Sequence, residues 1–227
     1  MRTCRLLQRH RLSRCPGSDT GSTSVNRYAR PVQAPTVAYG DSAAFVLVGG
    51  SIALDLVATL GRRHAEPVER IPEPTTLDRW FVAAGISASI PPADERDLAR
   101  ARALRESIYA LVRATIDGQH PHPTALDTVN QHAAQPDLPV RLAPGRGGHL
   151  TAETVDGDVR AALACIARDA VRLFGSSRAQ RVKECAHPNC SLVFLDETQS
   201  GRRRWCSMDR CGNLVKTAGY RARRGRA

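Results

Sequence analysis

Residues 185–211 read CAHPNCSLVFLDETQSGRRRWCSMDRC. Cys185 and Cys190 form one C-x4-C pair, Cys206 and Cys211 form a second, and fifteen residues separate the pairs. Four thiolates supplied as two close pairs can converge at about 2.3 Å on one zinc ion when the intervening chain turns back on itself. Pro188 and Asn189 suit the reversal inside the first pair. Leu192–Leu195 is apolar and strand-like, residues 196–201 supply a turn, and Arg202–Cys206 is expected to return as the second strand. Cys211 then falls near the start of a closing helix. Knuckle, hairpin and helix in this order are the layout of a treble-clef zinc finger. Four sulfurs close the coordination sphere, so the zinc is structural and has no position on which to activate water. A module of about 40 residues with few apolar side chains needs the metal to fold.

Charge is concentrated around this module and at the other end of the chain. The 227 residues carry a net charge of +11, from 31 Arg and only Lys183 and Lys216 against 22 acidic residues. Residues 1–40 hold seven Arg against one Asp, residues 41–177 hold fourteen basic against seventeen acidic residues, and residues 178–227 hold twelve against four. A near-neutral body with basic ends is the distribution expected of a protein whose end meets a polyanion. Arg202, Arg203 and Arg204 form a basic strand edge on which alternation sends Arg202 and Arg204 to one face. Lys216, Arg221, Arg223 and Arg224 continue along or beyond the final helix. These side chains would serve phosphates, while Asn213, Lys216 and Thr217 on the helix could face bases. DNA is the expected partner; RNA, or a protein-interaction module without DNA specificity, is the alternative. Aromatic interleaving is too thin to favour RNA, and Trp205 suits a cover over the zinc site better than a stacking platform.

The remainder of the chain bounds what the body can be. No apolar run approaches the length of about 18 residues needed to span a bilayer. The basic N-terminus has Arg9, His10 and Arg11 where a signal peptide requires an apolar stretch, which predicts a cytoplasmic protein. Seven cysteines, an odd number, favour thiols or metal over a disulfide framework. Residues 1–40, rich in Arg, Ser, Thr, Pro and Gly, read as a disordered basic tail in which Cys4 and Cys15 have no partners at ligand spacing.

From residue 41 to 177 the pattern is mainly helical. Phe45–Val48 is a short buried strand or extended lead-in closed by Gly49-Gly50. A helix capped by Ser51 follows, with Ile52, Leu54, Leu56, Val57 and Leu60 on its apolar face and Gly61 as its stop. A second runs from Thr76 to Ala84, and Trp80 on it packs inward. Asp94 opens the longest helix, whose Leu98, Ala101, Leu104, Ile108, Leu111, Val112 and Thr115 make a three-four stripe. A shorter helix over Thr124–Ala134, a β-hairpin from Val140 to Thr151 and a last helix from about Asp156 to Phe174 complete the body. The fold class is therefore α+β: a mainly helical domain over 41–177 and a small zinc finger over 178–227.

The body shows no sequence signature of catalysis. There is no P-loop, no G-x-S-x-G and no G-x-G-x-x-G after a strand. Asp94, Glu95, Asp97 and Glu106 are accounted for by capping and a solvated face. His120, His122 and His132 have no carboxylate at ligand spacing, and Cys165 reads as core filler. The chain is expected not to be an enzyme.

Cys185-x4-Cys190, Phe194-Leu-Asp196, Arg204-Trp-Cys-Ser207-Met208, Cys211-Gly-Asn213 and Tyr220-Arg-Ala-Arg223 together resemble the CGNR zinc-finger family. Upstream, Val48-Gly-Gly50, Leu54-Asp-Leu-Val57, Leu77 with Trp80, and Leu104-Arg-Glu106 resemble the ABATE domain that accompanies it. The resemblance spans about Phe45 to Arg224. It implies a bacterial stress-induced transcription regulator with a ligand-binding body and a DNA-binding finger. Asp55, Trp80 and Arg105 are the residues it offers for the ligand. Two positions depart from the family pattern: Leu214 replaces the Arg of Cys-Gly-Asn-Arg, and Ala58 replaces an Asn after the Leu-Asp-Leu-Val run.

Overall fold

In a computed structural model that describes residues 45–86, 90–154 and 157–217, five α-helices, a closing helix that begins at Met208 and three two-stranded sheets form one packed unit. The tail over 1–40 and the positions Tyr220, Arg221, Arg223 and Arg224 lie outside the described residues.

The helix α1 (Ile52–Val57) is shorter than its apolar pattern suggests, because the chain turns away after Ala58 and Gly61 does not act as its stop. Leu60–Gly61 instead forms β1 and pairs antiparallel with β2 (Val68–Glu69). The Arg70 guanidinium lies close over Gly61, in the space that a side chain there would take. Phe45–Val48 is extended but joins no sheet.

Helix α2 (Pro74–Ala83) begins with a proline and a reciprocal capping box between Glu73 and Thr76. The 23-residue α3 (Glu95–Asp117) is capped at its start by Asp94, which accepts from the Asp97 amide at 2.8 Å, and stops at Gly118 in the left-handed region. Its buried stripe of Leu98, Ala101, Leu104, Ile108, Leu111 and Val112 packs against α1, α2, α4 and α5. Helix α4 (Pro123–Ala133) takes its cap from His122, whose Nδ1 accepts the Thr124 amide, so this histidine shapes a helix end.

A hairpin of β3 (Val140–Pro144) and β4 (Leu150–Thr154) stands between α4 and α5 (Val159–Phe174). Asp158 caps α5, and nine of its sixteen residues are buried, which makes it the second wall of the core. Cys165 on α5 is half-buried, and burial pushes its thiol up to about 11, consistent with an inert packing residue.

After a short 3-10 turn, β5 (Val182–Glu184) pairs antiparallel with β6 (Val193–Leu195). This corrects the expected pairing: Arg202–Cys206 is not the second strand, and residues 202–205 form no strand at all. The hairpin closes around the first cysteine pair, so Cys185 and Cys190 occupy the turn between β5 and β6. The Ala186 amide donates to the Arg204 carbonyl at 2.9 Å, which lays the arginine segment beside the far edge of the knuckle. Alternating Val193 and Leu195 enter the main core with α1 and α5, while Phe194 faces the cysteines.

Candidate metal centre

The four cysteines are drawn together from three pieces of chain. Cys185 follows β5, Cys190 precedes β6, Cys206 ends the arginine segment, and Cys211 sits in the π-helical first turn (Met208–Gly212) of the last helix. Ser207 caps that helix by accepting the Arg210 amide at 3.1 Å, which fixes where Cys211 emerges.

All four sulfurs lie within 4.8 Å of one another. Cys190 and Cys206 are separated by 3.9 Å, Cys206 and Cys211 by 3.6 Å. A tetrahedron with metal–sulfur bonds of about 2.3 Å has edges of about 3.8 Å. The fit is therefore that of one Zn²⁺ held by four thiolates. Without a cation the sulfurs cannot all ionise: the Cys206 and Cys211 thiols are pushed up, first by hydrogen bonding to Cys185 and next to Cys190. A divalent ion removes that conflict, and a single structural zinc is the cofactor this donor set holds. The Cys206 amide donates to the Cys185 sulfur at 3.4 Å, a contact suited to a thiolate.

The surroundings of the centre are apolar and shared with the body. Val46 and Ala58 pack with Leu192, Phe194 and the cysteines, and Trp205 lies half-buried against them as a cover. Ala58, at the position that departs from the family pattern, is thus part of the seam between body and finger. Arg70, reaching from the body, donates to the Ala58 carbonyl at 3.3 Å and has the Cys190 sulfur among its charged neighbours.

Further polar ties bind the finger to the body. The Leu195 amide donates to the Gly49 carbonyl at 2.7 Å, and Ser191 Oγ accepts the Arg63 amide at 2.8 Å. Glu184 meets His64 Nε2 at 2.6 Å and Arg113 at 2.7 Å.

The three consecutive arginines divide by role. Arg202 and Arg204 are exposed, and the Arg204 guanidinium lies 5.1 Å from the Trp205 ring centre. Arg203 turns inward. Its guanidinium sits 4.3 Å over Phe194, donates to the Trp205 carbonyl at 3.0 Å, and also bonds the Cys206 carbonyl. Two longer contacts, at 3.5 Å, reach the Leu195 and Val48 carbonyls. The side chain offered to phosphate on sequence grounds is committed to the backbone around the zinc. Asn213, Lys216 and Thr217 are exposed on the last helix, and Leu214 between them is 40% exposed.

Asp196 organises the loop that leads to the arginines, a role its place in the sequence motif did not disclose. It is fully buried and accepts from Lys183 Nζ at 2.7 Å, the Arg203 amide at 2.9 Å and Thr198 Oγ1 at 2.6 Å. Burial pushes its carboxyl up, but these donors, Lys183 first, outweigh burial and hold it well below the usual carboxylate range. The available signal was Asp-x-Thr at 196–198, an Asx-turn spacing.

The three candidates for a ligand in the body have different settings. Trp80 is fully buried against Phe81 in the core. Arg105 is 4% exposed and held by Glu69 at 2.7 Å, Glu106 at 2.8 Å and Thr59 at 3.2 Å. Asp55 accepts the Gly49 amide at 2.8 Å, and burial, followed in effect by the nearby Asp169, raises its carboxyl to about 7 against the pull of that hydrogen bond. None of the three lines the 720 Å³ groove between α3, β5 and the arginine segment.

Among the described residues, no other group of Cys, His, Asp or Glu gathers as a metal site, and no helix is long and apolar enough to cross a membrane. Residues 50–177 match the ABATE family model, whose description reads "Putative stress-induced transcription regulator", and residues 181–224 match the CGNR zinc finger. No curated protein matches the chain.

Proposed function

For a chain that belongs to the ABATE family and carries a CGNR zinc finger, we propose a DNA-binding transcription regulator whose zinc holds a phosphate-facing surface. The observation that carries this reading is the exposure of Arg202 and Arg204 in the segment that leads to Cys206, with Asn213 and Lys216 exposed on the helix that follows Cys211. Residues 178–227 hold twelve basic and four acidic residues, and four thiolates with Zn²⁺ lower that excess to about +6, still strongly attractive to a polyanion. Arg202, Arg204 and Lys216 act on phosphates, and Asn213 is the side chain suited to a base edge. Arg221, Arg223 and Arg224 extend the basic run in sequence. Arg203 holds the surface in place from beneath. The body, with Asp55 and Arg105 in its polar network, senses a small molecule or partner and passes its state to the finger through the hydrogen bonds that join Asp55, Gly49 and Leu195. No reaction is assigned to either part.

The test is a titration of duplex DNA by the zinc-loaded protein across salt. Replacing Arg202 and Arg204 by Ala should weaken binding and reduce the slope of log K against log salt by about 0.9 for each phosphate that is no longer neutralised. An unchanged slope refutes the assignment. RNA bound more tightly than duplex DNA would favour the alternative partner.

A further inference from the structure

The β3–β4 hairpin carries an apolar face that the described residues leave uncovered. Its register pairs Val140 with Thr154, Leu142 with Ala152 and Pro144 with Leu150, and alternation places these side chains on one face. Leu142 is 71% exposed, Leu150 68% and Val140 58%, the three most exposed large hydrophobic residues among those described. Pro144 and Ala152 beside them are exposed as well. The only hydroxyl at this face, on Thr154, donates to the Ile86 carbonyl at 3.4 Å. Arg141 and Glu153 form an ion pair on the opposite face. A two-stranded ribbon is marginal in water by itself, and five contiguous apolar side chains on one mark an interaction site.

We propose that this face is the dimer interface of the protein and that its occupant is the same face of a second copy. Its described side chains carry no charge and, with Thr154 bonded, no free hydrogen-bonding group, so they suit an apolar surface of matching size such as the same face of a second copy about a two-fold axis. The chain's own ends are poor occupants on charge and composition: residues 1–40 contain seven Arg and residues 218–227 contain four. Each side chain has roughly 80 Å² of apolar surface to lose, which gives roughly 400 Å² for each copy and 800 Å² for the pair. That falls somewhat below the 1,000 Å² or so of a firm interface and suits a reversible dimer. In chain order the 16-residue α5 separates this hairpin from the zinc finger, and no residue of the hairpin belongs to the metal centre. The proposal is independent of what the fingers bind.

Sedimentation equilibrium of the zinc-loaded full chain, from about 1 to 200 μM, tests it. A monomer–dimer equilibrium with a dissociation constant on the order of 10–100 μM is expected. Leu142→Glu combined with Leu150→Glu should weaken it on the order of a hundredfold, with helix content and zinc stoichiometry unchanged, whereas Arg141→Ala on the other face should leave it unaltered. Should the double Glu variant fold poorly, Leu142→Ser with Leu150→Ser is expected to give the same loss of dimer. A protein that remains monomeric at 200 μM overturns the proposal, including when it instead binds lipid vesicles. So does a dimer indifferent to the paired substitutions.

Discussion

Arg203→Ala separates a residue that builds the zinc finger from the neighbours that decorate it. In the wild type one guanidinium serves the Trp205 and Cys206 carbonyls, reaches Leu195 and Val48, and covers Phe194. A hydrogen bond from a charged group contributes roughly 1.5–3 kcal/mol. The half-buried setting and partial replacement by water keep the total for the two short contacts near 3 kcal/mol, with about 0.5–1 kcal/mol more from the Phe194 face. For a chain of this size that corresponds to a fall in melting temperature of roughly 7–16 °C. Lysine should not rescue it, because an ammonium cannot reach two divergent carbonyls and lie flat on a ring. The assay is thermal unfolding of zinc-loaded protein followed by circular dichroism, with chelator competition for zinc on the same samples. Arg202→Ala and Arg204→Ala serve as controls and should melt within about 2 °C of wild type. An Arg203→Ala variant that melts with these controls and retains zinc equally would refute the inward assignment.

Removing the metal should reach beyond the finger. Cys206→Ser, or chelation of the wild type, is expected to lower the melting temperature by on the order of 10 °C or more and to raise hydrogen exchange in α1 as well as in β5 and β6; exchange confined to residues 182–217 would contradict the shared core. Asp55 predicts a pH dependence. Its carboxyl is raised from 3.8 to about 7 in the folded chain, so the native state binds the proton more tightly, and stability from this group is full below about pH 4, falls as pH rises towards 7 and levels above it. Asp55→Asn should flatten that part of a melting-temperature profile, and identical profiles for the two proteins would remove Asp55 as the cause. Leu214→Arg restores the family's basic residue at an exposed position; it should tighten DNA binding and steepen the salt slope by about 0.9, measured by the same titration, with no change in melting.

The zinc ligands were legible because a metal site is written in side-chain identity and short spacing, and neither depends on knowing the tertiary pairing. The long helices were legible for a related reason: Asp94, Gly118 and the stripe from Leu98 to Val112 specify α3 locally. Strand pairing around the metal was not. Val182–Glu184 and Val193–Leu195 are each three residues long, too short for alternation to choose a partner, whereas the arginine segment offered a competing one. The end of α1 was obscured similarly, since Leu60 continues the apolar pattern although the backbone has already left the helix. Alternation did distinguish Arg203 from Arg202 and Arg204, but periodicity says only that two faces differ. Which face meets the protein depends on the Phe194 ring and the carbonyls of residues 205 and 206, and these are brought there by the zinc.

That dependence changes the meaning of the seam at Ala58. The residue is 2% exposed and packs with Val46, Phe194 and the cysteines; its amide donates to the Leu54 carbonyl at the end of α1 and its carbonyl accepts from Arg70. An Asn at this position would bring an amide into an apolar cluster and would require partners there. With Ala the junction is apolar, and movement of the finger as a unit away from the body would expose Val46, Ala58 and the knuckle together. A hinge at this seam is therefore disfavoured in this chain. On the proposed reading, a signal from the body would have a shorter route: Asp55 accepts from the Gly49 amide, the Gly49 carbonyl accepts from the Leu195 amide, and Leu195 leads directly into Asp196, which holds the start of the arginine segment. Changes at Asp55 would act on the set of that segment, with the metal centre staying docked. Ala58→Asn tests the distinction. It should loosen the seam, lowering the melting temperature through the cost of a buried amide of about 1–3 kcal/mol, while the response of Arg202 and Arg204 to Asp55→Asn, read by the salt slope, should persist. A response that disappears with the seam would place the coupling in the apolar contact instead of the hydrogen-bonded chain.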